Sequence, residues 1–470
     1  MTFQRDQVWQ NLERMYRSSI ACKYARYALD LDYQRLPEEV IHQAKCCLLD
    51  ALGCAIGAYI SPGRPMVEEA VREIGGKEEA TVIGSGWRTT ALNATLVNSF
   101  LVRFLEYNDM GGGGHNSDAI ASILAVAERE KANGKQLLTS IVISYELGAR
   151  FSDAQGGHTS YEGKGWTIDI RGGVTMPPAL GKMMGLTERQ IANAIGICAS
   201  HALPLGILDT NQEENTMSKN LRFGWVCHDA ILACLLARQG FTGPVRVLEG
   251  EDGLQEVIMK GTMDLEKAVD FSGWRILDTR YKNLCANGTS FGHISATLSI
   301  VKENDLRPED IAAVRIRAGL REIRHTGSLV RKYPRDAENA NHSAYYASAI
   351  AIKERHFGPA SIEPEKLNDP VVLDLIEKIT IEPDPGLSEH SSQGISEIVT
   401  TDGRRFEKRV DVPHGFADDP LTDEELENKF KDMALKYMSM EQVNQLIRTI
   451  WNVDKENDLN RLIQLTIINA

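Results

Sequence analysis

The segment 109–118 brings together side chains that can exchange protons around a glycine-rich loop. It consists of Asp109, Met110, four consecutive glycines at 111–114, His115, Asn116, Ser117 and Asp118. An unperturbed histidine titrates at about pH 6.5, so it both accepts and donates protons near neutral pH. The free N–H groups at the start of the helix that follows favour an anion. One interpretation is a proton-transfer site; the other is that Asp109 and Ser117 only cap helices while His115 lies on the surface.

Three more segments carry chemically capable side chains. Lys219 begins a predicted apolar helix, where a cation opposes the helix dipole, and a bound anion would offset that charge. His342 and Tyr346 are one helical turn apart, which predicts that they share a face. Lys282, with His293, forms a weaker fourth group. The alternatives are a solvated loop lysine at 219 and a capped helix with ordinary aromatic packing at 340–346.

Several common catalytic motifs do not occur in this sequence. No GxGxxG follows a predicted strand, and GxxxxGK[ST], GxSxG and HExxH do not occur. These absences argue against a nucleotide-binding enzyme, an α/β-hydrolase and a zinc protease. The eight cysteines include no CxxC pair, and no Cys/His spacing suits a zinc site. We therefore expect free, buried thiols in a reducing compartment.

The charge balance restricts the possible partners. The net charge is −13 without a Lys/Arg-rich run, which disfavours binding of nucleic acid. The N-terminus has no apolar signal core and no stretch of 18 apolar residues occurs, so we expect a cytoplasmic protein that does not enter a membrane. An acidic surface repels anions, and a site for a carboxylate substrate must therefore supply its own positive charge.

The candidate residues of the segment 109–118 and Lys219 lie on or between predicted helices in the first half of the chain. Apolar residues at helical spacing predict helices at 40–56, 90–106, 117–132, 136–153, 174–184, 187–199 and 219–238. Pro37 and two glutamates open the first of these helices, Ser117 can cap the third, and Thr187 with Gln190 fits a capping box.

The pattern becomes mixed near residue 272. Residues 274–281, 312–317 and 379–381 are strand-like, and 395–399 with 406–412 form a predicted β-hairpin around Asp402-Gly403. Helices are predicted at 288–303, 341–353, 423–438 and 440–451. We therefore expect a mainly α protein with a large helical domain (1–271 and 413–470) and a smaller inserted α/β domain (272–412).

The order of the motifs resembles the MmgE/PrpD family over nearly the whole chain. The similar segments are 44–53, 106–109 with 115–118 (often HPSD in the family), 181–187 with 193–197 (GKLLGL and NALGI), 218–219, 235–244 and 342–346 (HSxxY). The family includes 2-methylcitrate dehydratases, cis-aconitate decarboxylases and iminodisuccinate epimerases. The resemblance implies a helical domain with an α/β lid, a site between them, a homodimer, and no metal or organic cofactor.

The resemblance also implies a set of site residues. The implied catalytic residues are Asp109, His115, Lys219 and Tyr346, and the implied substrate-binding residues are Ser117, Asp118, Lys282 and His342. In this hypothesis His115 acts as base or acid with Asp109 orienting it, Lys219 neutralises a carboxylate or enolate, and Tyr346 donates a hydrogen bond or proton.

Three departures from the family pattern bear on the substrate. Thr167 replaces a histidine that often follows Gly-Trp, Asn116 replaces the proline of HPSD, and four glycines precede His115. We expect a hydro-lyase acting on a 2-methylcitrate-like hydroxy polycarboxylate, since Asp118 is retained. A cis-aconitate-type decarboxylase, an iminodisuccinate-type epimerase and a catalytically degenerate metabolite-binding protein are the alternatives.

Overall fold

The structure is a computed structural model that describes residues 2–111, 114–157, 165–211, 213–389, 391–416 and 418–468. Two of the four glycines before His115, Gly112 and Gly113, therefore lie outside the described residues. Thr167 and the rest of the predicted site lie within them.

Helices make up most of the described chain. In the first part they are α1 (Thr2–Ser18), α2 (Ile20–Asp30), α3 (Glu38–Gly57), α4 (Gly63–Ile74), α5 (Ala91–Phe104), α6 (Asp118–Arg129), α7 (Gly134–Ala154), α8 (Gly172–Met183), α9 (Glu188–His201), α10 (Arg222–Arg238), α11 (Leu254–Val257) and α12 (Leu265–Ala268). In the second part they are α13 (Phe291–Glu303), α14 (Leu320–His325), α15 (Ala337–Ala340), α16 (Ala344–Glu354), α17 (Pro364–Leu367), α18 (Pro370–Glu377), α19 (Asp423–Ala434), α20 (Met440–Trp451) and α21 (Asn460–Leu465).

The main sheet lies in the second half of the chain. The strands are β1 (Ala80–Thr81), β2 (Arg88–Thr89), β3 (Ile311–Ala318), β4 (Ile379–Pro383), β5 (Gly394–Thr400) and β6 (Arg405–Val410). The four-stranded sheet has the order β4-β3-β5-β6, with β3 parallel to β4 and the other pairs antiparallel. The turn between β5 and β6 contains Gly403 at φ 86°, which confirms the Asp-Gly hairpin.

The long apolar helices form one core, and α3 lies deep in it. Pro37 precedes α3, and Glu38 and Glu39 in its first turn favour the positive end of its dipole. By length and composition α3 is, in the described part of the chain, the one helix that could cross a membrane. However, 72% of its most apolar window is buried inside the protein, as in the core helix of a soluble protein. The C-terminal helix α19 packs along α3, so the end of the chain returns to the first helices.

The mainly α fold class is confirmed, and the capping box of Thr187 and Gln190 is present at the start of α9. All eight cysteines are free and buried, as expected. The division into domains 1–271 with 413–470 and 272–412 stays a prediction.

The strand predicted at 274–281 is wrong. Residues Arg275–Asp278 form a 3₁₀ turn instead. Just before this turn, the Arg150 guanidinium donates hydrogen bonds to the carbonyls of Asp270, Ser272 and Gly273. The backbone N–H of Ile276 donates to Oε1 of Glu146. Because side chains satisfy these backbone groups, the apolar pattern does not lead to a sheet.

Two smaller predictions about helix starts are also wrong. Ser117 does not cap α6 with its side chain; its hydroxyl instead accepts a hydrogen bond from Nδ2 of Asn108 at 2.9 Å. Lys219 does not begin an α-helix, because it lies in a 3₁₀ turn, Met217–Leu221, that precedes α10.

Candidate active site

Glu106 lies at the centre of a buried group of charges. Its Oε2 is 2.9 Å from Nζ of Lys219 and 3.2 Å from Nη2 of Arg103, and its Oε1 is 2.9 Å from Nζ of Lys282. The Nε2 of His115 lies 3.3 Å from the same Oε1. We call these five residues the Glu106 cluster. Burial alone would raise the pKa of Glu106, but Arg103, Lys219 and Lys282 more than offset it and hold that pKa well below its usual range.

The position of Glu106 depends on an uncommon backbone conformation. It follows the end of α5 with φ at 51°, in the left-handed region that favours glycine. Its backbone carbonyl accepts a hydrogen bond of 2.7 Å from Nζ of Lys282, which helps to hold this conformation. A non-glycine residue in this region costs on the order of 1 kcal/mol, a strain that is frequent at functional sites.

His115 is oriented by the backbone of Asp109 and not by its carboxylate. The Nδ1 of His115 lies 2.7 Å from the carbonyl oxygen of Asp109, so this nitrogen donates and Nε2 is left towards Glu106. Burial, with Arg103 and Lys282 nearby, lowers the pKa of His115 well below its usual range, although Glu106 opposes the shift. The imidazole is therefore neutral at pH 7, with an unprotonated Nε2 that faces Oε1 of Glu106.

The Asp109 carboxylate faces a different set of partners. Its Oδ2 accepts a hydrogen bond of 2.5 Å from the Tyr145 hydroxyl, and its Oδ1 accepts one from the Ser117 N–H. Its own N–H donates to Oδ2 of Asp50, whose other oxygen pairs with Lys429 at 2.6 Å. Burial, and next the charge of Asp50, raise the pKa of Asp109 to about 7.

Ser117 and Asp118 shape the turn that holds His115. The amide of Asn108 donates to the Ser117 hydroxyl and, at 2.8 Å, to Oδ1 of Asp118. Asp118 is 3% exposed, and burial raises its pKa to about 6. These bonds are internal to the turn, so both side chains are engaged by Asn108.

Lys219 and Lys282 are both buried beside Glu106. Burial lowers the pKa of Lys219 to about 8, while Glu106 opposes the shift. Burial also lowers the pKa of Lys282, whose Nζ donates to Glu106 and to the Ala286 carbonyl at 3.0 Å. Lys282 thus has its donors occupied, and Lys219 is the ammonium group closer to releasing a proton near neutral pH.

His342 belongs to a second buried group with Asp209 and His325, which we call the Asp209 cluster. Ligand atoms of these three side chains lie within 4.8 Å of one another. The Nε2 of His342 and Oδ1 of Asp209 are buried without a hydrogen-bond partner among the described residues.

Several cations surround the Asp209 cluster. Arg222 pairs with Asp209 at 2.6 Å, and Lys219 and Arg331 act on the two histidines electrostatically. Burial lowers the pKa of His325 to about 4 and, with Lys219, lowers that of His342 well below its usual range. Neutral histidines among cations suit an anionic ligand better than a metal cation.

Tyr346 is directed away from these groups. Its hydroxyl donates a hydrogen bond of 2.7 Å to the carbonyl of Ser361, and its ring contacts Phe357. Burial raises its pKa, and the charges that act on it are those of Glu354 and Asp369. His342 lies before α16, in which Tyr346 lies, and the two side chains have separate surroundings.

Arg171 links the two positions that depart from the family pattern. Thr167 caps the 3₁₀ turn Ile168–Arg171, and Arg171 donates to Oδ1 of Asn116 at 3.1 Å and to the carbonyl of His115 at 3.2 Å. A Cβ on Gly114, whose φ is 139°, would lie 2.7 Å from the Arg171 guanidinium. The glycine at 114 therefore makes room for an arginine that holds the backbone of His115.

Two family models match most of the chain. The MmgE/PrpD N-terminal domain matches residues 23–266, and the MmgE/PrpD C-terminal domain matches residues 285–455. The chain belongs to the MmgE/PrpD family.

Relatives in the MmgE/PrpD family include enzymes of two kinds. The cis-aconitate decarboxylase of Aspergillus terreus is 22% identical over 97% of this chain and 97% of that protein. The cis-aconitate decarboxylase of Homo sapiens is 24% identical over 96% of this chain and 95% of that protein. The 2-methylcitrate dehydratase of Salmonella typhimurium is 24% identical over 82% of this chain and 84% of that protein. The chain is thus similar to both decarboxylases and dehydratases.

The structure brings His115, Lys219 and Lys282 together around a residue that the sequence did not single out. Glu106 lies three positions after Arg103, near the end of an apolar helix. This pairing of a basic and an acidic residue at helical spacing was the one signal in the sequence that could have indicated Glu106. Tyr145 and Arg171 gave no such signal, because neither belongs to a motif or spacing that is typical of a site. Their roles depend on contacts with residues distant in the sequence.

Proposed function

We propose that this MmgE/PrpD protein is a lyase that moves protons next to a carboxylate on a small polycarboxylic acid. Of the possible reactions, we propose dehydration of a 2-methylcitrate-like hydroxy acid. One observation carries the proposal: a neutral imidazole and an ammonium group share one buried carboxylate, Glu106. Dehydration needs a base for the carbon-bound proton and an acid for the leaving hydroxyl, and these two groups meet both needs.

The substrate's charge is met by local cations. Arg103, Lys219 and Lys282 contact the two oxygens of Glu106, and Arg222 and Arg331 lie near the Asp209 cluster. This supply of positive charge, in a protein of net charge −13, supports binding of an acid with several carboxylates. The same cations would stabilise the enolate that forms when the proton leaves.

The proposed dehydration uses side chains of the Glu106 cluster. Nε2 of His115 takes the proton from the carbon next to the carboxylate, and the electron pair of that bond forms the carbon–carbon double bond. The carbon–oxygen bond breaks, and the hydroxyl takes a proton from Nζ of Lys219 and leaves as water. A proton then passes through the Glu106 carboxylate, from His115 on Oε1 to Lys219 on Oε2, which restores the starting state.

Asp109, Ser117 and Asp118 act by positioning in this proposal. The carbonyl of Asp109 accepts from Nδ1 of His115 and so fixes the tautomer in which Nε2 is the base. Tyr346 has no step, because its hydroxyl is bonded to the carbonyl of Ser361. We propose that the neutral Nε2 of His342 receives a hydrogen bond from the substrate, since it has no other partner among the described residues.

Decarboxylation of a cis-aconitate-like acid is the second candidate. It is favoured by relatives named cis-aconitate decarboxylase that align with 95–97% of this chain, whereas the named dehydratases align with less. In that reaction the carbon–carbon bond to a carboxylate breaks, carbon dioxide leaves, and the carbanion takes a proton from Lys219. Arg171 binds Asn116 and ends the turn that Thr167 caps. Because Asn116 and Thr167 both depart from the family pattern, this arrangement would alter how the substrate fits.

We also propose that the protein acts as a cytoplasmic homodimer. Helix α10 exposes two large apolar side chains, Trp225 at 56% and Leu232 at 43%, on a face that also carries His228 and Asp229. A second copy is the simplest cover for such a face next to the site. Light scattering on the purified protein tests this, since a monomer at micromolar concentration would contradict it.

Proton NMR in D₂O tests the proposed function, with 2-methylcitrate, citrate, cis-aconitate and an amino diacid offered separately. Loss of water from 2-methylcitrate supports dehydration, loss of carbon dioxide from cis-aconitate supports decarboxylation, and deuterium exchange alone at an α-carbon supports an epimerase. Thermal stabilisation by a tricarboxylate without turnover of any acid would contradict the lyase and support a metabolite-binding protein.

A further inference from the structure

A second possible ligand site lies on the surface, where α3 meets the start of α19. His42 and Cys46 are four residues apart on α3 and therefore share a face. Asp423 is the first residue of α19 and lies 381 positions after His42 in the chain. The three side chains offer a nitrogen, a sulfur and an oxygen within 4.8 Å of one another.

The two distances from the His42 nitrogen match those around a tetrahedral zinc ion. The Nε2 of His42 is 3.6 Å from Sγ of Cys46 and 3.0 Å from Oδ1 of Asp423. Bonds of about 2.3 Å to sulfur and about 2.0 Å to nitrogen and oxygen, at tetrahedral angles, give about 3.6 Å between nitrogen and sulfur and about 3.3 Å between nitrogen and oxygen. The two measured distances thus agree with the tetrahedral values to within a few tenths of an ångström, and the sulfur and the carboxylate oxygen lie within 4.8 Å of each other.

The His42 ring is already held in its orientation. It stacks on Trp451, with ring centroids 5.2 Å apart and planes 8° apart. Cys46 is 4% exposed and its sulfur faces the histidine, while the His42 and Asp423 side chains are 46% and 60% exposed. The site is therefore open to solvent on one side, as entry of an ion requires.

The charge around the site favours a cation. The exposed Glu38 and Glu39 lie one turn before His42 on the same helix, and Glu424 follows Asp423. The nearest lysine on α3, Lys45, is bound to Asp454 at 2.5 Å. These features distinguish the surface group from the Asp209 cluster, which is surrounded by arginine and lysine.

We propose that His42, Cys46 and Asp423 bind a Zn²⁺ ion through Nε2, Sγ and Oδ1, with water in the fourth position. On binding, the Cys46 thiol loses its proton to solvent, so affinity rises with pH. The ion joins α3 to α19, the helices that also carry Asp50 and Lys429. It takes no part in the proton transfers proposed above and stabilises the packing of the C-terminal helices on the core.

Cobalt substitution gives a direct test. Metal-free protein is titrated with Co²⁺, and then with Zn²⁺, while the absorption spectrum and the melting temperature are recorded. We expect one Co²⁺ per chain, a thiolate-to-cobalt charge-transfer band, the visible absorption of four-coordinate cobalt, and displacement by Zn²⁺. The melting temperature rises with Zn²⁺ concentration, because the ion binds the folded state.

Matched variants assign the ligands. Cys46→Ser removes the charge-transfer band and weakens Zn²⁺ binding at least about tenfold, whereas Cys54→Ser, at a buried position on the same helix, changes neither. His42→Gln, at a partly exposed position where loss of folding is not expected, weakens binding as Cys46→Ser does. No charge-transfer band in the wild-type protein, or an equal band in Cys46→Ser, would overturn the proposal.

Discussion

Nζ of Lys219 lies 2.9 Å from Oε2 of Glu106, and both side chains are 1% exposed. The two residues are 113 positions apart in the chain, so only the folded state brings them together. Because the same carboxylate also contacts His115, its charge acts on both the proposed acid and the proposed base. The pH at which the protein works therefore depends on how burial shifts these three groups.

The first prediction concerns the alkaline side of the pH–activity profile. Since burial lowers the pKa of Lys219 to about 8, the ammonium form that donates the proton is lost as pH rises through that value. We expect kcat/KM to fall above about pH 8. Lys219→Arg keeps a charge that does not titrate, so any residual activity should lack this fall. The control is Lys436→Arg on the surface; a fall at the same pH in Lys219→Arg would assign the titration to another group.

The second prediction is that His115→Ala removes the base and leaves the fold. Loss of a positioned general base reduces turnover by about 10²–10⁴-fold. The substitution removes one hydrogen bond, to the Asp109 carbonyl, so the free energy of unfolding should fall by only about 1 kcal/mol. NMR turnover and thermal unfolding measure the two effects, with the exposed His201→Ala as control. Retained turnover would exclude His115 from the reaction.

The third prediction concerns stability and the Asp109 carboxyl. Its folded pKa of about 7 lies above the ordinary value of 3.8, so the folded state holds the proton more tightly than the unfolded state. The stability that this provides is fully present below about pH 4 and is lost as pH rises to about 7. Asp109→Asn should remove that loss. Urea unfolding at a series of pH values measures this dependence of the free energy of unfolding on pH. In Asp109→Asn a smaller dependence of the same sign should remain, because Asp118 has a raised pKa of about 6.

The sequence predicted the elements of this fold better than their chemistry. The long helices and the hairpin around Gly403 follow from side-chain periodicity and turn residues, which are local. The strand prediction at 274–281 failed because Oε1 of Glu146, 130 positions earlier, accepts the backbone N–H of Ile276, while Arg150 binds the carbonyls of Ser272 and Gly273 just before the segment. A period-two pattern cannot show that a distant side chain replaces a neighbouring strand.

The site was predictable in its members but not in its arrangement. His115, Lys219 and Lys282 were singled out by type and position, and they do lie around one carboxylate. That carboxylate is Glu106, whereas the sequence favoured Asp109, which reaches His115 only through its backbone carbonyl. Which of two acids three residues apart faces the base depends on the positive φ of Glu106, and no sequence pattern predicts that angle.

The fourth prediction tests Tyr346, for which sequence and structure suggest different roles. Tyr346→Phe removes a hydrogen bond to the carbonyl of Ser361 and should lower the free energy of unfolding by about 1 kcal/mol. Turnover should stay within about tenfold of the wild type, since the hydroxyl faces away from the Glu106 cluster. A loss of kcat beyond 10²-fold with unchanged unfolding, on the scale of a lost general acid, would restore Tyr346 as a proton donor.

The last prediction concerns Glu106 itself. Glu106→Gln keeps the shape of the side chain and leaves Arg103, Lys219 and Lys282 without their shared counter-charge. Removing one partner of a buried ion pair costs about 3–5 kcal/mol, so the variant should be strongly destabilised at pH 7. The exposed Glu309→Gln is the control and should change nothing.

The pH and ligand dependence of that loss separate a charge effect from a packing effect. Without Glu106 the pKa of Lys219 falls further in the folded state, while in the unfolded chain it keeps its ordinary value near 10.5. The destabilisation should therefore lessen as pH rises towards that value. Below it only the unfolded chain keeps Lys219 protonated, so removing protons favours the folded state. Tricarballylate, which has no hydroxyl to lose, should raise the melting temperature of Glu106→Gln more than that of the wild type, since its carboxylates replace the missing charge. An equal rise in both proteins would mean that the cations around Glu106 do not bind the substrate's carboxylates.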